Sequence, residues 1–281
     1  MKRLVLDNVH HQTVQSFSKE WSRFDQEDVD ADELERLFGE YFAIFPWELL
    51  PERARGADIG CGSGRWAQFV ARRDIGELHC VDPSKEALQV SRAKLKRYNN
   101  VILHHASVDA LPFEDNSLDF AYALGVFHHV PDTAAALASS VRALKKGAPF
   151  LVYLYYAFDN RPLWFRWLWR GSDAVRRVVA SLPSRVKDLC CDALALSIYW
   201  PLAQAARFAE ALGIDVSPWP LSAYRDRSLY TMRTDARDRF GTPLEQRFTA
   251  RQIEAMLLEA GLMDIRFSSG PPYWCAIGFK V

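Results

Sequence analysis

Three glycines at alternate positions, Gly60, Gly62 and Gly64, follow the apolar run Ala57-Asp58-Ile59, and a carboxylate sits inside that run. Without a Cβ the backbone turns sharply there, and a ligand can lie almost on the main chain. From Arg65 onward, Trp66, Phe69 and Val70 recur at helical spacing, so the turn opens a helix whose free N–H groups favour a carboxylate or phosphate. Strand, glycine turn and helix in this order begin a nucleotide-binding α/β unit.

The residues around the glycines discriminate among nucleotides. A phosphate loop for ATP or GTP ends in Gly-Lys-Ser/Thr, whereas Gly64 is followed by Arg65-Trp66. A dinucleotide fingerprint needs a sixth-position glycine, which here is Arg65, and the carboxylate of Asp58 repels a pyrophosphate. S-adenosylmethionine carries no phosphate but has an ammonium, a carboxylate and a sulfonium, which suit an acid beside a glycine turn. Glu77-Leu78-His79-Cys80-Val81-Asp82 reads as a buried strand ending in a second acid about 20 residues on, where such folds hold a ribose diol. Asp82 is the expected ribose ligand, and Ser84 the expected cap of the helix after it.

Strands are predicted near Arg55–Gly60, Glu77–Asp82, Val101–Ala106, Leu118–Leu124 and Pro149–Tyr156, alternating with helices over Arg65–Arg73, Lys85–Arg97 and Thr133–Lys145. Thr249 caps a further helix that ends at Gly261, and strands follow over Asp264–Ser268 and Tyr273–Val281. This order specifies a doubly wound parallel sheet.

Asp58-Ile59-Gly60-Cys61-Gly62-Ser63-Gly64, Asp82, Ala110-Leu111-Pro112-Phe113, Asn116-Ser117-Leu118-Asp119-Phe120 and Gly125-Val126-Phe127-His128-His129-Val130-Pro131-Asp132 together resemble the class I S-adenosylmethionine-dependent methyltransferases. The resemblance runs from about Gly56 to Pro149 and resumes from Thr249 to Val281. It implies a Rossmann-like seven-stranded sheet, its last strand antiparallel between its neighbours, with an N-terminal helical cap and a large insertion after the fifth strand. It divides the chain into a cap (1–54), a cofactor-binding core (55–158), a basic and aromatic insertion (159–247) and a returning core segment (248–281). The implied cofactor residues are Asp58, Gly60, Gly62, Gly64, Arg65, Asp82, Pro83, Leu124, and Ser107 with Val108 at the adenine. Ser107 departs from the family, which commonly has an acid there, and a neutral hydroxyl is the weaker acceptor; Asp109 is either a substitute acceptor or a surface residue.

Methyl transfer from a sulfonium is an in-line displacement, and an oxygen nucleophile must lose its proton. Histidine titrates in the right range. The resemblance to sugar and quinone O-methyltransferases makes His128 the first candidate base and His129 the second. The pair equally serves to fix the turn into the next helix, with Asp132 or Thr133 as its cap. His10-His11 and His104-His105 lack the spacing of a metal site and read as surface or loop residues, so no metal is expected.

Substrate choice falls to the segments outside the core. Phe17, Trp21 and Phe24 recur at helical spacing ahead of an acidic stretch, Asp25 to Glu40, and either glue a helix to the core or line the methyl-donor pocket. Phe127, Tyr156 and Arg237 complete the expected substrate pocket, with Asp235 and Asp238 nearby. The insertion opens Arg161-Pro162-Leu163-Trp164-Phe165-Arg166-Trp167-Leu168-Trp169-Arg170 and continues through Arg176, Arg177, Arg185 and Lys187, with Asp173 the lone acid among them. It reads as a packed cap, a surface for anionic lipid, or a pocket for an acidic or glycan-bearing substrate; packing against the acidic stretch is preferred.

The 35 Lys and Arg balance 35 Asp and Glu, and no nucleic-acid partner is expected. No continuous apolar run long enough to span a bilayer stands out, and Met1-Lys2-Arg3-Leu4-Val5-Leu6-Asp7 lacks a signal-peptide core, so a cytoplasmic protein, monomer or homodimer, is expected. Five cysteines without a C-x-x-C pair point to packing. The expected activity is methylation of a small molecule at oxygen, on a sugar, aromatic, quinone or lipid-linked acceptor. The other readings are carbon or nitrogen methylation and a non-catalytic module that senses S-adenosylmethionine.

Overall fold

The computed structural model describes residues 8–23 and 30–281. Phe24, the acids Asp25, Glu27 and Asp28, and the Met1–Asp7 start lie outside the described residues. The chain forms two compact units. The first comprises the residues up to Ser22, Leu37–Ala157 and Leu244–Val281; the second comprises Arg23–Arg36 and Phe158–Pro243.

After helices α1 (His11–Arg23) and α2 (Ala31–Tyr41), the first unit alternates β1 (Arg55–Ile59), α3 (Ala67–Val70), β2 (Glu77–Asp82), α4 (Lys85–Leu95), β3 (Val101–His105), β4 (Phe120–Leu124), α5 (Thr133–Ala143) and β5 (Pro149–Tyr153). The second unit supplies α6 (Leu163–Ser181), α7 (Ser184–Leu194), α8 (Trp200–Ala211) and α9 (Leu229–Gly241), and the first then closes with α10 (Ala250–Glu259), β6 (Leu262–Phe267) and β7 (Cys275–Lys280). The seven strands form one sheet in the order β3-β2-β1-β4-β5-β7-β6. β1 to β5 are parallel, and β7 enters antiparallel between β5 and β6. The order reverses between β1 and β4, which opens a crevice at their carboxyl ends.

Both faces of this sheet are buried because the strands alternate two apolar sets. Ala57, Ile59, Ala121, Ala123, Phe150 and Val152 pack into one cluster, and Leu78, Cys80, Phe120, Tyr122 and Leu151 into another. Phe38, Phe42 and Phe45 join the second cluster, so residues 37–54 cover the sheet as part of the core. The expected 1–54 cap is thus divided: its ends belong to the first unit, and Arg23–Arg36 to the second.

Local chemistry sets the helix starts. Ser84 accepts from Ala87 N at 3.1 Å and Asp132 from Ala135 N at 2.9 Å, while Thr249 and Gln252 cap each other's backbone N–H groups. The helix predicted over Arg65–Arg73 shrinks to Ala67–Val70. Its first turn is partly bonded at three-residue spacing, with Phe69 N donating to Trp66 O at 3.0 Å, and Trp66 offers no side-chain cap. His104 and His105, read as surface or loop residues, lie within the strand predicted over Val101–Ala106; His105 is exposed, and His104 Nε2 is 2.8 Å from His79 Nδ1.

In the second unit Val179, Cys191, Ala195, Tyr199, Met232, Ala236 and Phe240 form the core. Glu33, from the acidic stretch, accepts from Ser228 N and from Thr231 Oγ1 at 2.8 Å, at the start of α9. That carboxylate therefore serves a helix terminus and not the arginine-tryptophan segment. A π-helical turn, Ala195–Tyr199, fuses α7 and α8 into one helix, Ser184–Ala211, which is long and apolar enough to cross a membrane by length and composition alone. This corrects the expectation that no such segment exists.

Candidate methyl-donor site

The glycine turn is locked to the end of β2. Gly60 N and Cys61 N donate to Val81 O at 2.7 and 3.0 Å, and Gly62 N donates to Asp82 Oδ2 at 2.9 Å. Ser84 N donates to Asp82 Oδ1 at 2.8 Å, so both carboxylate oxygens are oriented by backbone N–H groups. Gly60 has φ +77°, and a Cβ there would meet Val126 at 2.5 Å. Gly62 has φ +53°, and its Cβ would lie 3.1 Å from the Trp21 indole. A side chain at Gly60 would clash, and at Gly62 it would be strained by the left-handed backbone and would press on Trp21.

A cavity opens above this turn, at the ends of β1, β2 and β4. Of the residues expected at the cofactor, Gly60, Gly62, Arg65, Asp82, Pro83 and Leu124 line it, together with Ser63 and Trp66. Thr13, Val14, Phe17 and Trp21 of α1 wall it, which places the two expected substrate-pocket aromatics beside the expected cofactor residues. Thr13 and Val14 escaped the sequence reading, although Thr13, Phe17 and Trp21 share one helical stripe. Gly125, Val126 and Val130 complete the β4 side.

Asp58 lies beneath the turn rather than on the cavity wall, and Gly64 is likewise outside the lining. Burial pushes the Asp58 carboxyl up to about 8; the Tyr122 phenol pulls it back and the Asp82 charge adds to the rise. Burial also lifts Asp82, to about 6, against the opposing pull of its bonds from Ser84 and Gly62. The Oδ2 of Asp58 and the Oγ of Ser63 are buried and meet no hydrogen-bond partner among the described residues. Ser63 lies on the cavity wall, and its unpartnered hydroxyl fits a ligand that brings polar groups of its own, as the methionine part of S-adenosylmethionine does.

The raised Asp58 value has a consequence for stability. The folded chain holds this proton more tightly than the unfolded chain, whose carboxyl has the ordinary value of 3.8. The stabilisation is therefore complete at low pH and is lost as pH climbs through about 8. Asp58→Asn keeps the neutral shape at every pH. Thermal melts of the ligand-free protein should show the wild type losing several degrees between about pH 5 and about pH 9, and the variant losing clearly less. Equal losses would contradict the assignment.

The histidine pair separates. A short 3₁₀ turn, Phe127–His129, sends the two rings to different surroundings. His128 is fully buried, stacked on Tyr155 at 3.8 Å, and its Nδ1 accepts from Tyr155 N at 3.3 Å. That bond occupies its lone pair and leaves the proton on Nε2. Burial, then the neighbouring His129 and Arg247, hold its value well below the ordinary one. His129 instead lines the cavity, and its Nδ1–H donates to Leu244 O at 2.7 Å. The lone pair is therefore on Nε2, a buried atom, and the Phe17 and His129 rings meet edge to face with centroids 5.0 Å apart. Of the two candidates, His129 lines the cavity and His128 does not.

Other expected residues lie elsewhere. Ser107 Oγ donates to Asp109 Oδ1, and Asp109 Oδ2 also accepts from Asn8 N at 3.3 Å. Val108 is in the core, its carbonyl bonded to Ser139 Oγ at 2.7 Å; neither it nor Ser107 lines the cavity. Phe127 is fully buried against Phe150, and Tyr156 packs on Tyr273 at 5.6 Å. Arg237 belongs to the second unit, where it is buried with Nε 2.7 Å from Asp188 Oδ1, and Asp235 accepts from the Tyr224 hydroxyl at 2.6 Å. Asp132, rather than Thr133, caps α5.

Compared with known proteins, residues 57–152 match the model of a methyltransferase domain. The demethylmenaquinone methyltransferase of Bacillus licheniformis is 32% identical over 100 residues, 35% of this chain and 43% of that protein. The demethylmenaquinone methyltransferase of Staphylococcus haemolyticus is 34% identical over 96 residues, 34% of this chain and 40% of that protein. The chain thus spans less than half the length of the curated relatives it matches. Among solved structures, a SAM-dependent methyltransferase, possible histamine N-methyltransferase, from Thermotoga maritima superposes with a TM-score of 0.50 at 17% identity, covering 96% of this chain and 99% of that one. A possible exported protein from Bordetella parapertussis gives 0.51 at 18%, covering 92% and 72%. At such identities the two structures share the fold. Residues 57–152 thus match a methyltransferase domain, and the seven-stranded sheet with its antiparallel β7, which carries the acid-flanked glycine turn, has the fold that the resemblance to class I S-adenosylmethionine-dependent methyltransferases implies.

Proposed function

We propose that this chain methylates a hydroxyl oxygen on a small aromatic or quinol-like acceptor. The observation that carries the reading is His129, tied through Nδ1 to Leu244 O and set in a cavity wall with Phe17, Trp21, Val126 and Val130. S-adenosylmethionine, when bound, supplies a methyl on a sulfonium centre that an oxygen nucleophile displaces in line. His129 Nε2 takes the acceptor's hydroxyl proton, and the Leu244 carbonyl steadies the imidazolium through Nδ1–H. Phe17 and Trp21 exclude water and offer flat apolar faces to an aromatic ring, which supports an aromatic over a sugar acceptor. The demethylmenaquinone methyltransferases among the relatives support a quinone-related acceptor.

Transfer of a labelled methyl from S-adenosylmethionine to a panel of quinols, hydroxylated aromatics and sugars tests this. Incorporation into a quinol or phenol as a methyl ether is expected. Labelling of sugars alone, or of carbon or nitrogen in place of oxygen, would overturn it.

A further inference from the structure

We propose that the second unit docks on the surface of an anionic lipid bilayer through the exposed face of α6. The proposal rests on that unit alone and is independent of the acceptor. At about 100° per residue, Trp164, Trp167, Leu168, Val175 and Val178 fall within one arc about 100° wide that runs the length of the helix. They are exposed: Trp164 by 53%, Trp167 by 66% and Val178 by 63%. The inward arc holds Phe165 and Trp169, packed on Phe158 at 5.3 and 5.6 Å, and Val179, the buried residue of the helix.

A third arc carries Arg166, Arg170 and Arg177, so arginines flank the tryptophan stripe along one side. Arg170 leans over Trp167 at 4.8 Å. The lone acid of α6, Asp173, has both oxygens taken, by Arg176 at 2.7 Å and by Arg177. Large apolar rings beside guanidinium groups match the acyl boundary and the phosphates of a bilayer surface. A second copy of the chain would bring the same arginines to the seam with no free acid from the helix to meet them.

The helix Ser184–Ala211 carries exposed apolar residues of its own, Leu189, Leu196 and Trp200, at i, i+7 and i+11. It does not leave the unit to span the bilayer. Its inward residues Cys191, Ala195, Tyr199 and Ala203 form the core with Met232 and Ala236, and Asp192 holds Arg233 at 3.0 Å. An interfacial position keeps these contacts, whereas a span would strip them away.

Co-sedimentation of the full chain with phosphatidylglycerol-containing vesicles, against phosphatidylcholine alone, tests this. Salt-sensitive binding to the anionic vesicles alone is expected, with release by alkaline carbonate. Trp164→Ser with Trp167→Ser should abolish it. Arg166→Ala with Arg170→Ala should weaken it about 30-fold, near a fivefold loss for each arginine. All four side chains lie on exposed arcs, so the variants should bind S-adenosylhomocysteine as the wild type does, which shows that they fold. No binding to anionic vesicles, equal binding by the tryptophan variant, or resistance to carbonate overturns the proposal. So does self-association that the tryptophan variant loses.

Discussion

His129→Ala should lower turnover by about 10²–10⁴-fold while leaving the affinity for S-adenosylhomocysteine nearly unchanged. In the proposed role the ring supplies the lone pair, and the bond from Nδ1–H to Leu244 O sets the tautomer. His129→Gln keeps a polar side chain without a base and should lose as much. His128→Ala should behave in the opposite way. It removes a fully buried ring stacked on Tyr155 and should cost about 3 kcal/mol of stability. Turnover per folded molecule should stay within a few-fold. Single-turnover transfer of a labelled methyl, alongside thermal melts, separates the two. A folded His129→Ala protein with wild-type turnover would remove the base, and loss of chemistry in a folded His128→Ala would restore the original order.

Asp82→Ala should weaken binding of S-adenosylhomocysteine by at least about 100-fold. The carboxylate holds Gly62 N and Ser84 N at 2.9 and 2.8 Å while it faces the cavity. Hydrogen bonds to a charged group are worth roughly 1.5–3 kcal/mol each, so its removal loosens the turn as well as the ligand. Asp82→Asn keeps one acceptor but sets an amide N–H against a backbone N–H, and should fall between. The melting temperature of the ligand-free protein should drop for both variants, most for alanine. Unchanged affinity in a folded Asp82→Ala protein would exclude the ribose role.

The sheet was legible because its signals are local. Buried strands with Asp58 and Asp82 at or next to their ends, the glycines between strand and helix, and caps at Ser84 and Thr249 each declare an element within a few residues. The placement of Asp58 was not legible. A carboxylate near a glycine turn looks like a ligand from sequence, and only the pleat decides that it lies beneath the turn. Nor could sequence rank His128 against His129, because adjacent residues in a 3₁₀ turn diverge and the phase depends on the Tyr155 and Leu244 backbones. Ser107 and Val108 were carried over by position alone, and the loop turns them toward Asp109 and Ser139 instead. The long helix runs through Pro201, which has no backbone N–H to give to the helix. The π-helical turn before it, where Trp200 N donates to Ala195 O, absorbs the missing bond.

The central claim is that the cavity beneath α1 is built for a cationic, phosphate-free nucleoside. Calorimetric titration of the wild type with S-adenosylhomocysteine and, separately, with NADH tests it most directly. The geometry predicts one saturable site for S-adenosylhomocysteine, abolished by Gly62→Val, whose side chain would press on Trp21, and no heat from NADH. Saturable binding of NADH, or no binding of S-adenosylhomocysteine by the wild type, would contradict it.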